Sequence, residues 1–535
     1  MFIIFIKRYL NRLRILFGLF SIVLILLIAR LYFLQVYPNK QVLSNYTNKQ
    51  TENISDSKYA ILDTNGKDMN KYIKKYIVVI DKKPFSLNNY ENTLEELIAF
   101  NFIMKEEISD FNFADIMASS GKVYYNISEE TYMKIQKLKN LKGVYSYVRD
   151  ELDKKYAWEV PTLLQNSIDE ENQNTDSLQS QIYRYTKDNQ TIQRNFHLNN
   201  EAMYNQNDVY ISENNVNLKL TIDSSIEDKI REVLDREEYK DYKNIGVIML
   251  ESDTGKIRAL MQKDESSANV NLGIEGSGYE PGSVYKLITL SSALEMGITT
   301  MNDQYICTGQ ICKGGAHGKI TVNQALYKSC NDVFAQIGER VSFQKILEYS
   351  KDVGLFDRVL NIEGETQGIE PKIEDGMNNI AIGQCLTVSP LQILGAINTI
   401  VNDGVYVKPY LIEGLLDYNN NTIKSFEKDS KKVFSKTTCS LVKEGMKNVV
   451  KQGTGKKANV SSVEMGGKTG TATGSGENNT HAWFVGYFKY QDKTYSMVIF
   501  VPNIAQKNEA GEELGGGNTA GPIFKEIVEN IIKTK

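Results

Sequence analysis

The sequence has little tryptophan, proline or cysteine and no excess of either charge. Its 535 residues include 2 Trp, 9 Pro and 5 Cys. Two of the cysteines are expected to be core residues: Cys385 falls in an apolar stretch and Cys439 in a predicted helix. With 62 Lys and Arg against 66 Asp and Glu, the formal net charge is −4, which argues against electrostatic binding of nucleic acid. An odd number of cysteines argues against a complete disulfide framework. Hydrophobic residues at 41% and charged residues at 24% indicate a folded chain.

One long apolar segment lies near the N-terminus, at Ile15–Ala29, and apolar residues resume after Arg30 as far as Tyr37. Together they are long enough to cross a hydrocarbon core of about 30 Å. The basic residues before the segment are Lys7, Arg8, Arg12 and Arg14. This charge bias favours a cytoplasmic N-terminus. A cleaved signal peptide is the alternative, but no small-residue cleavage site follows. We therefore predict a single-pass anchor within residues 1–39, with the rest of the chain outside the cytoplasm.

Beyond the anchor, the chain changes character once. Residues 40–216 carry short strand-like and helical patterns, such as Tyr76–Asp81 and Glu129–Leu141, and no chemical motif. Within them, Gln165–Gln193 is rich in Asn, Gln, Ser and acidic residues and is predicted to be a long loop. Residues 217–535 alternate helical and strand-like segments, including a predicted hairpin around Asp253-Thr254-Gly255. This second region is predicted to be one mixed α/β domain.

Ser283 and Lys286 are the first catalytic candidates. Pro281-Gly282 predicts a turn, and the apolar spacing that follows predicts a buried helix ending at Gly297. Side chains three residues apart lie on one face of a helix, so the lysine is within reach of the serine. A lysine can take the proton of a serine hydroxyl once burial or positive charge lowers its pKa from about 10.4. By itself, however, the S-x-x-K spacing is common, and a helix-capping serine with a surface lysine gives the same pattern.

Two further motifs follow in the chain. Ser329-Cys330-Asn331 matches S-x-N, and Lys468-Thr469-Gly470-Thr471 matches K-T-G. The order of the three motifs is that of serine acyltransferases of the penicillin-recognising class. Flanking stretches such as Ile382–Gln392 and Ala482–Phe488 strengthen the match. Residues 217–535 thus resemble the monofunctional, class B penicillin-binding proteins, which are D,D-transpeptidases of peptidoglycan crosslinking.

The resemblance implies a role for each motif. Ser283 would attack the penultimate carbonyl of a D-Ala-D-Ala stem peptide and release the last D-alanine. Lys286 would act as general base, Ser329 and Asn331 would relay protons and hold the substrate amide, and Lys468 would supply positive charge.

The K-T-G motif would hold the substrate. Thr469, Gly470 and Thr471 are the implied substrate-binding residues, with the two threonines on the substrate carboxylate. The backbone N–H groups of Ser283 and Thr471 would form the oxyanion hole. β-Lactams would mimic the dipeptide and leave Ser283 as a stable ester.

The resemblance also implies a fold and partners. We expect an α/β (α+β) transpeptidase domain of the serine β-lactamase-like class at 217–535, a mixed α/β pedestal at 40–216 and the transmembrane helix. The pedestal match is faint: Ile61–Gly66 has Thr64 where arginine is usual. No cofactor is expected for catalysis, and a membrane glycosyltransferase is the implied partner. The alternatives are a serine β-lactamase, or a β-lactam-binding sensor or scaffold without turnover.

A second group of residues lies around the S-x-N motif. Cys307, Cys312, His317 and Cys330 have the side chains that bind tetrahedral zinc, although their spacing fits none of the familiar C-x-x-C templates. A structural zinc would fix the loop that carries Ser329 and Asn331. A Cys307–Cys312 disulfide or a redox-sensitive pair are the alternatives.

Overall fold

A computed structural model describes residues 2–36, 49–89, 91–117, 121–155, 159–165, 177–274, 276–312, 314–426, 428–473, 479–508 and 511–533. The chain forms two compact units whose segments interleave in sequence. The first unit comprises Met1–Asp56, Lys74–Asp150 and Ile192–Tyr210, and the second comprises Ser57–Ile73, Glu151–Thr191 and Ile211–Lys535. The predicted bounds of the anchor, the pedestal and the transpeptidase domain therefore stay predictions.

The helices in the described residues are α1 (Phe2–Val36), α2 (Lys82–Asn88), α3 (Leu94–Glu107), α4 (Phe113–Met117), α5 (Glu129–Ile135), α6 (Val160–Gln165), α7 (Leu178–Thr186), α8 (Ser224–Leu234), α9 (Lys286–Glu295), α10 (Val322–Lys328), α11 (Asn331–Val341), α12 (Phe343–Asp352), α13 (Met377–Ile380), α14 (Pro390–Val401), α15 (Lys436–Gln452) and α16 (Gly521–Ile532). The strands are β1 (Lys49–Asn53), β2 (Ile61–Leu62), β3 (Tyr72–Asp81), β4 (Lys122–Ile127), β5 (Val144–Leu152), β6 (Gln193–Leu198), β7 (Tyr204–Tyr210), β8 (Asn217–Leu220), β9 (Gly246–Glu251), β10 (Ile257–Gln262), β11 (Gln304–Cys307), β12 (Gly318–Thr321), β13 (Val405–Val407), β14 (Ile412–Leu416), β15 (Thr422–Ser425), β16 (Ser430–Lys432), β17 (Met465–Thr473), β18 (Thr480–Tyr490) and β19 (Lys493–Ile504).

Helix α1 contains the predicted membrane segment as far as Val36, and Tyr37 lies outside the described residues. Its stretch Arg14–Tyr32 has a mean hydropathy of 2.5 and is long and apolar enough to cross a membrane.

In its described residues, the remainder of the first unit forms two three-stranded sheets, in the orders β1-β6-β7 and β4-β3-β5. The central strand β3 explains the continuous apolar run predicted as a strand at Tyr76–Asp81. Val78 and Ile80 pack into one core, whereas Ile77 and Val79 pack into another. Because alternate side chains of a strand face opposite ways, both faces of β3 are covered.

The second unit is built on a five-stranded sheet in the order β10-β9-β19-β18-β17. Strands β9 and β10 form the predicted hairpin. Along β9, Ile248 and Leu250 pack in one core, while Val247 and Met249 pack in a second core. Both faces of this sheet are therefore buried, and β17 lies at one of its edges.

A second sheet of this unit, in the order β15-β14-β8-β2, includes strand β2, which precedes residue 217 in the sequence. Strand β2 pairs in parallel with β8. Just after it, the hydroxyl of Thr64 accepts a hydrogen bond from Nη1 of Arg258 at 3.0 Å. The segment with Thr64 thus belongs structurally to the unit that carries the motifs.

The prediction of one long loop at Gln165–Gln193 is wrong where helix α7 forms. Ser177 caps this helix by accepting a hydrogen bond from the N–H of Ser180 at 3.2 Å. Ile182 is only 3% exposed and packs in the main core of the unit. A serine cap and one buried apolar side chain therefore stabilise a helix here despite the polar composition of the segment. Residues 166–176 of the predicted loop lie outside the described residues.

Candidate active site

Ser283 lies in a short 3-10 turn, Gly282–Val284, directly before α9. Gly282 has a φ of +52°, and a β-carbon there would lie 2.7 Å from the carbonyl oxygen of Thr471. Its N–H donates to the carbonyl of Gly383 at 3.0 Å. Only glycine fits this close approach without strain. The turn thus brings Ser283, which is partly exposed between buried neighbours, against strand β17.

Lys286 begins α9 and is fully buried. Its Nζ donates to Oδ1 of Asn331 at 2.6 Å, to the carbonyl of Ser329 at 2.8 Å and to Oγ of Ser329 at 3.3 Å. Burial disfavours the ammonium form and lowers the pKa of Lys286 to about 7. The side chain is therefore suited to accept and return a proton near neutral pH.

The S-x-N motif is a sharp connection between two helices. Helix α10 starts with a capping box formed by Thr321 and Gln324 and ends at Lys328, with Ser329 as its C-cap. Ser329 adopts a left-handed conformation with φ +57°, which is uncommon for serine. Cys330 follows in an extended conformation, and Asn331 begins α11. This turn directs both Ser329 and Asn331 toward Lys286.

Lys468 approaches the same group from strand β17. It is fully buried, and its Nζ donates to Oγ of Ser329 at 2.8 Å and to the carbonyl of Thr469 at 2.9 Å. Burial first, and then the positive charge of Lys286, holds the pKa of Lys468 well below its ordinary value. Two lysine amines therefore meet at one serine hydroxyl, an arrangement that favours loss of a proton from one of them.

The other residues of β17 have separate environments. Oγ1 of Thr469 lies 2.7 Å from Oγ1 of Thr454, and Oγ1 of Thr471 accepts from the N–H of Gly516 at 3.1 Å. Thr469 is 5% exposed, whereas Thr471 is exposed. A β-carbon at Gly470 would lie 2.7 Å from the carbonyl oxygen of Pro281, so this glycine permits the turn of Ser283 to pack against the strand.

Two site neighbours were not predicted. Thr454 lies before β17 in a Gly-Thr-Gly stretch and has no motif of its own. The prediction that Cys385 is a core residue is wrong: it is exposed, with φ +62°, and its N–H donates to Oε1 of Glu280 at 2.9 Å. The apolar residues around Cys385 gave no sign in the sequence that it lies in a turn beside the nucleophile. Cys439, by contrast, is buried as predicted.

The four residues predicted as a metal cluster come together beside the S-x-N turn. Sγ of Cys307 lies 3.7 Å from Sγ of Cys312 and 3.4 Å from Nδ1 of His317. Sγ of Cys312 lies 3.6 Å from Sγ of Cys330. All four ligand atoms lie within 4.8 Å of one another. The three cysteines are free thiols, and two of the four residues are buried.

Residues 245–529 match the family described as the penicillin binding protein transpeptidase domain. Because the match covers more than half of the chain, this chain belongs to the penicillin-binding protein transpeptidase family. The sequence-based resemblance to class B members is confirmed, and so is the predicted mixed α/β transpeptidase fold.

Among curated relatives, stage V sporulation protein D of Bacillus subtilis is 31% identical over 350 residues, which are 59% of this chain and 53% of that protein. A peptidoglycan D,D-transpeptidase FtsI homolog of Mesostigma viride is 26% identical and covers 54% of this chain and 56% of its own length. The chain thus spans about half the length of the curated relatives it matches.

Solved structures agree on the fold. A peptidoglycan synthetase from Bifidobacterium adolescentis superposes with a TM-score of 0.62 at 18% identity, covering 91% of this chain and 96% of that one. Penicillin-binding protein 3 from Mycobacterium tuberculosis, complexed with aztreonam, gives a TM-score of 0.59 at 18% identity, covering 90% and 97%. At these identities the likeness shows the shared fold alone.

Proposed function

We propose that this chain is a peptidoglycan D,D-transpeptidase that works through an acyl-enzyme on Ser283. One observation carries the proposal: the buried amine of Lys286, with a pKa of about 7, lies three residues from Ser283 and contacts Ser329 and Asn331. Lys468 completes the group through Ser329. Two relatives in different organisms, a peptidoglycan D,D-transpeptidase FtsI homolog and the peptidoglycan D,D-transpeptidase PbpA, support the same reaction class.

Acylation follows from this geometry. Neutral Lys286 takes the proton of the Ser283 hydroxyl, and Oγ attacks the carbonyl carbon of the penultimate D-alanine. The carbonyl oxygen becomes negative and is stabilised by the backbone N–H groups of Ser283 and Thr471. The C–N bond then breaks, and the proton held by Lys286 passes through Ser329 to the amine of the departing D-alanine.

Transfer reverses these proton movements. The amine of a second stem peptide attacks the ester carbon and gives up a proton toward Lys286. The C–O bond to Ser283 breaks, and Oγ recovers a proton. Thr471 and Thr469 would bind the substrate carboxylate beside Lys468, and Asn331 would hold the substrate amide. A β-lactam would enter the same acylation step and leave the ester on Ser283.

The N-terminal helix supports a location for this reaction on the outer side of the cytoplasmic membrane. As a single-pass anchor with a cytoplasmic N-terminus, α1 would hold the catalytic domain outside the cytoplasm, where peptidoglycan is crosslinked. We assign the anchor to residues 1–39, the pedestal to 40–216 and the transpeptidase domain to 217–535. A membrane glycosyltransferase would supply the glycan strands.

We also propose a structural zinc at Cys307, Cys312, His317 and Cys330. In a tetrahedral site with Zn–S bonds of about 2.3 Å and a Zn–N bond of about 2.0–2.1 Å, ligand atoms lie about 3.5–3.8 Å apart. Three of the distances between these atoms, at 3.4–3.7 Å, fit this spacing, and the other pairs lie within 4.8 Å, whereas a disulfide requires about 2.05 Å. The metal would hold the turn that carries Ser329 and would take no part in the chemistry.

Labelling with a fluorescent penicillin tests the main proposal. We expect wild-type protein to be labelled stably, Ser283→Ala to remain unlabelled, and the matched control Ser277→Ala, six residues upstream on an exposed stretch, to label normally. Labelling of Ser283→Ala would refute the nucleophile. Rapid loss of label from wild type would favour a β-lactamase, and stable label without any turnover of stem peptide would favour a sensor or scaffold.

A further inference from the structure

The loop between Cys307 and Cys312 is held by side chains from the start of helix α11. Oδ2 of Asp332 accepts two hydrogen bonds from it, one from Oγ1 of Thr308 and one from the N–H of Gly309, each at 2.9 Å. Asp332 is 8% exposed, so water competes little for these contacts. Hydrogen bonds to a shielded carboxylate are among the stronger ones in proteins. The loop is therefore tied firmly to the first turn of α11.

The same loop sets the orientation of a residue in the active site. Nδ2 of Asn331 donates to the carbonyl of Ile311 at 3.0 Å, and Oδ1 of Asn331 accepts from Nζ of Lys286 at 2.6 Å. Turning the amide over would place its NH2 group against the lysine amine and lose both bonds. The Ile311 carbonyl thus selects the orientation in which Asn331 accepts from Lys286.

We propose that Asp332 is a positioning residue for acylation. Ile311 is two residues from Gly309, so the anchor at Asp332 limits where the Ile311 carbonyl lies. Through that carbonyl it fixes the amide of Asn331 and, with it, the amine of Lys286. The inference rests on the proposed function, because it assigns Asp332 an effect on the rate at which Ser283 is acylated.

A purely structural role would look different. An acidic residue in the first turn also stabilises a helix, because its negative charge interacts favourably with the positive end of the helix dipole. Such a role would change the fraction of folded enzyme and leave the rate constant of the folded fraction unaltered. Misplacement of Lys286 and Asn331 would instead lower that rate constant, because proton transfer depends on distance and direction.

The experiment measures acylation of the full-length protein by a fluorescent penicillin at several concentrations. It separates the rate constant at saturation, the dissociation constant of the first complex and the titre of reactive sites. For Asp332→Ala we expect a rate constant about tenfold lower, within the 100-fold or so that a misplacement of about 1 Å can cost, with the other two quantities within about twofold. Asp332→Asn keeps one oxygen acceptor and should recover most of the rate. Glu95→Ala, a first-turn acid on helix α3, is the matched control and should not change it.

A wild-type rate constant in Asp332→Ala, or a loss of titre alone, would overturn the inference. If Asp332→Ala does not fold, Thr308→Val removes one donor without altering α11 and should slow acylation about threefold; an unchanged rate would overturn it. Metal content is measured in parallel. Full recovery of the rate by added zinc would show that the substitution acts through the cysteine cluster, and this result would also overturn the inference. Absence of labelling in wild type would instead refute the proposed function.

Discussion

Replacing Lys286 by methionine should slow acylation strongly and yet stabilise the protein. Methionine has about the same length and fits a fully buried position, but it has no amine to take the proton of Ser283. General base catalysis contributes about 10²–10⁴-fold, so we expect acylation by a β-lactam to slow by at least about 100-fold. The stabilisation follows from the cost of burying the lysine.

The magnitude follows from the pKa of Lys286, which burial lowers from 10.5 to about 7. This difference corresponds to a cost on the order of 5 kcal/mol whenever the buried amine must be charged. Methionine removes the cost but also loses three hydrogen bonds, worth about 1 kcal/mol each. We expect a net gain of about 2 kcal/mol at pH 6.

The gain should depend on pH in a defined direction. At pH 6 the folded and the unfolded chain both carry a protonated Lys286, so wild type bears the full cost. Between about pH 7 and 10.5 the folded side chain is neutral while the unfolded one still binds a proton. The stability of wild type therefore rises with pH through this window relative to the variant, by about 1.4 kcal/mol per pH unit, so the advantage of methionine of about 2 kcal/mol should be lost at about pH 8.5.

Thermal unfolding of wild type and Lys286→Met at pH 6 and pH 9, together with the acylation rate, measures both effects. A variant that is less stable than wild type at pH 6, or whose advantage does not shrink at pH 9, would refute the claim that burial destabilises the charged form of Lys286. Retained acylation would refute its role as base.

Three further outcomes are expected. Acylation of wild type should be about tenfold faster at pH 8 than at pH 6, because the neutral fraction of Lys286 rises through its pKa of about 7; a flat profile would contradict this. Gly282→Ala should destabilise the protein by about 2–4 kcal/mol in thermal unfolding and slow acylation, since its β-carbon would meet a β17 carbonyl oxygen at 2.7 Å. The control Gly297→Ala, where φ is similar but the space around the β-carbon is open, should cost less stability. Purified wild type should contain about one zinc per chain by metal analysis and Cys312→Ser none, with Cys439→Ser as control; folded, reduced wild type without zinc would refute the site.

Sequence reasoning was strongest where the relevant contacts are local. The predicted helix begins at Lys286, and Ser283 lies in the 3-10 turn just before it, where residues three apart also share a face. Strands β9 and β10 form the hairpin that two apolar runs around a turn predicted. Chemical pattern also placed the cysteine cluster, because thiol and imidazole side chains within one stretch suggested a shared ligand. These inferences need only the residues and their near neighbours.

Contacts between distant segments could not be derived in this way. Lys468 reaches Ser329 across 139 residues, and only the family resemblance brought these motifs together before the structure. The Thr454–Thr469 contact depends on where the loop before β17 returns. Cys385 has apolar neighbours but a left-handed backbone that exposes it. Such features depend on strand register and loop paths, which composition and periodicity do not encode.

The central claim is that Ser283 carries an acyl group derived from a stem peptide. Wild-type protein incubated with a D-Ala-D-Ala pentapeptide, then digested and analysed by mass spectrometry, should show the peptide minus one D-alanine on the fragment that contains Ser283. Free D-alanine should appear in solution, and an added acceptor amine should remove the adduct as a crosslinked product. An adduct on another residue, or an intact pentapeptide beside a fully folded enzyme, would contradict the account.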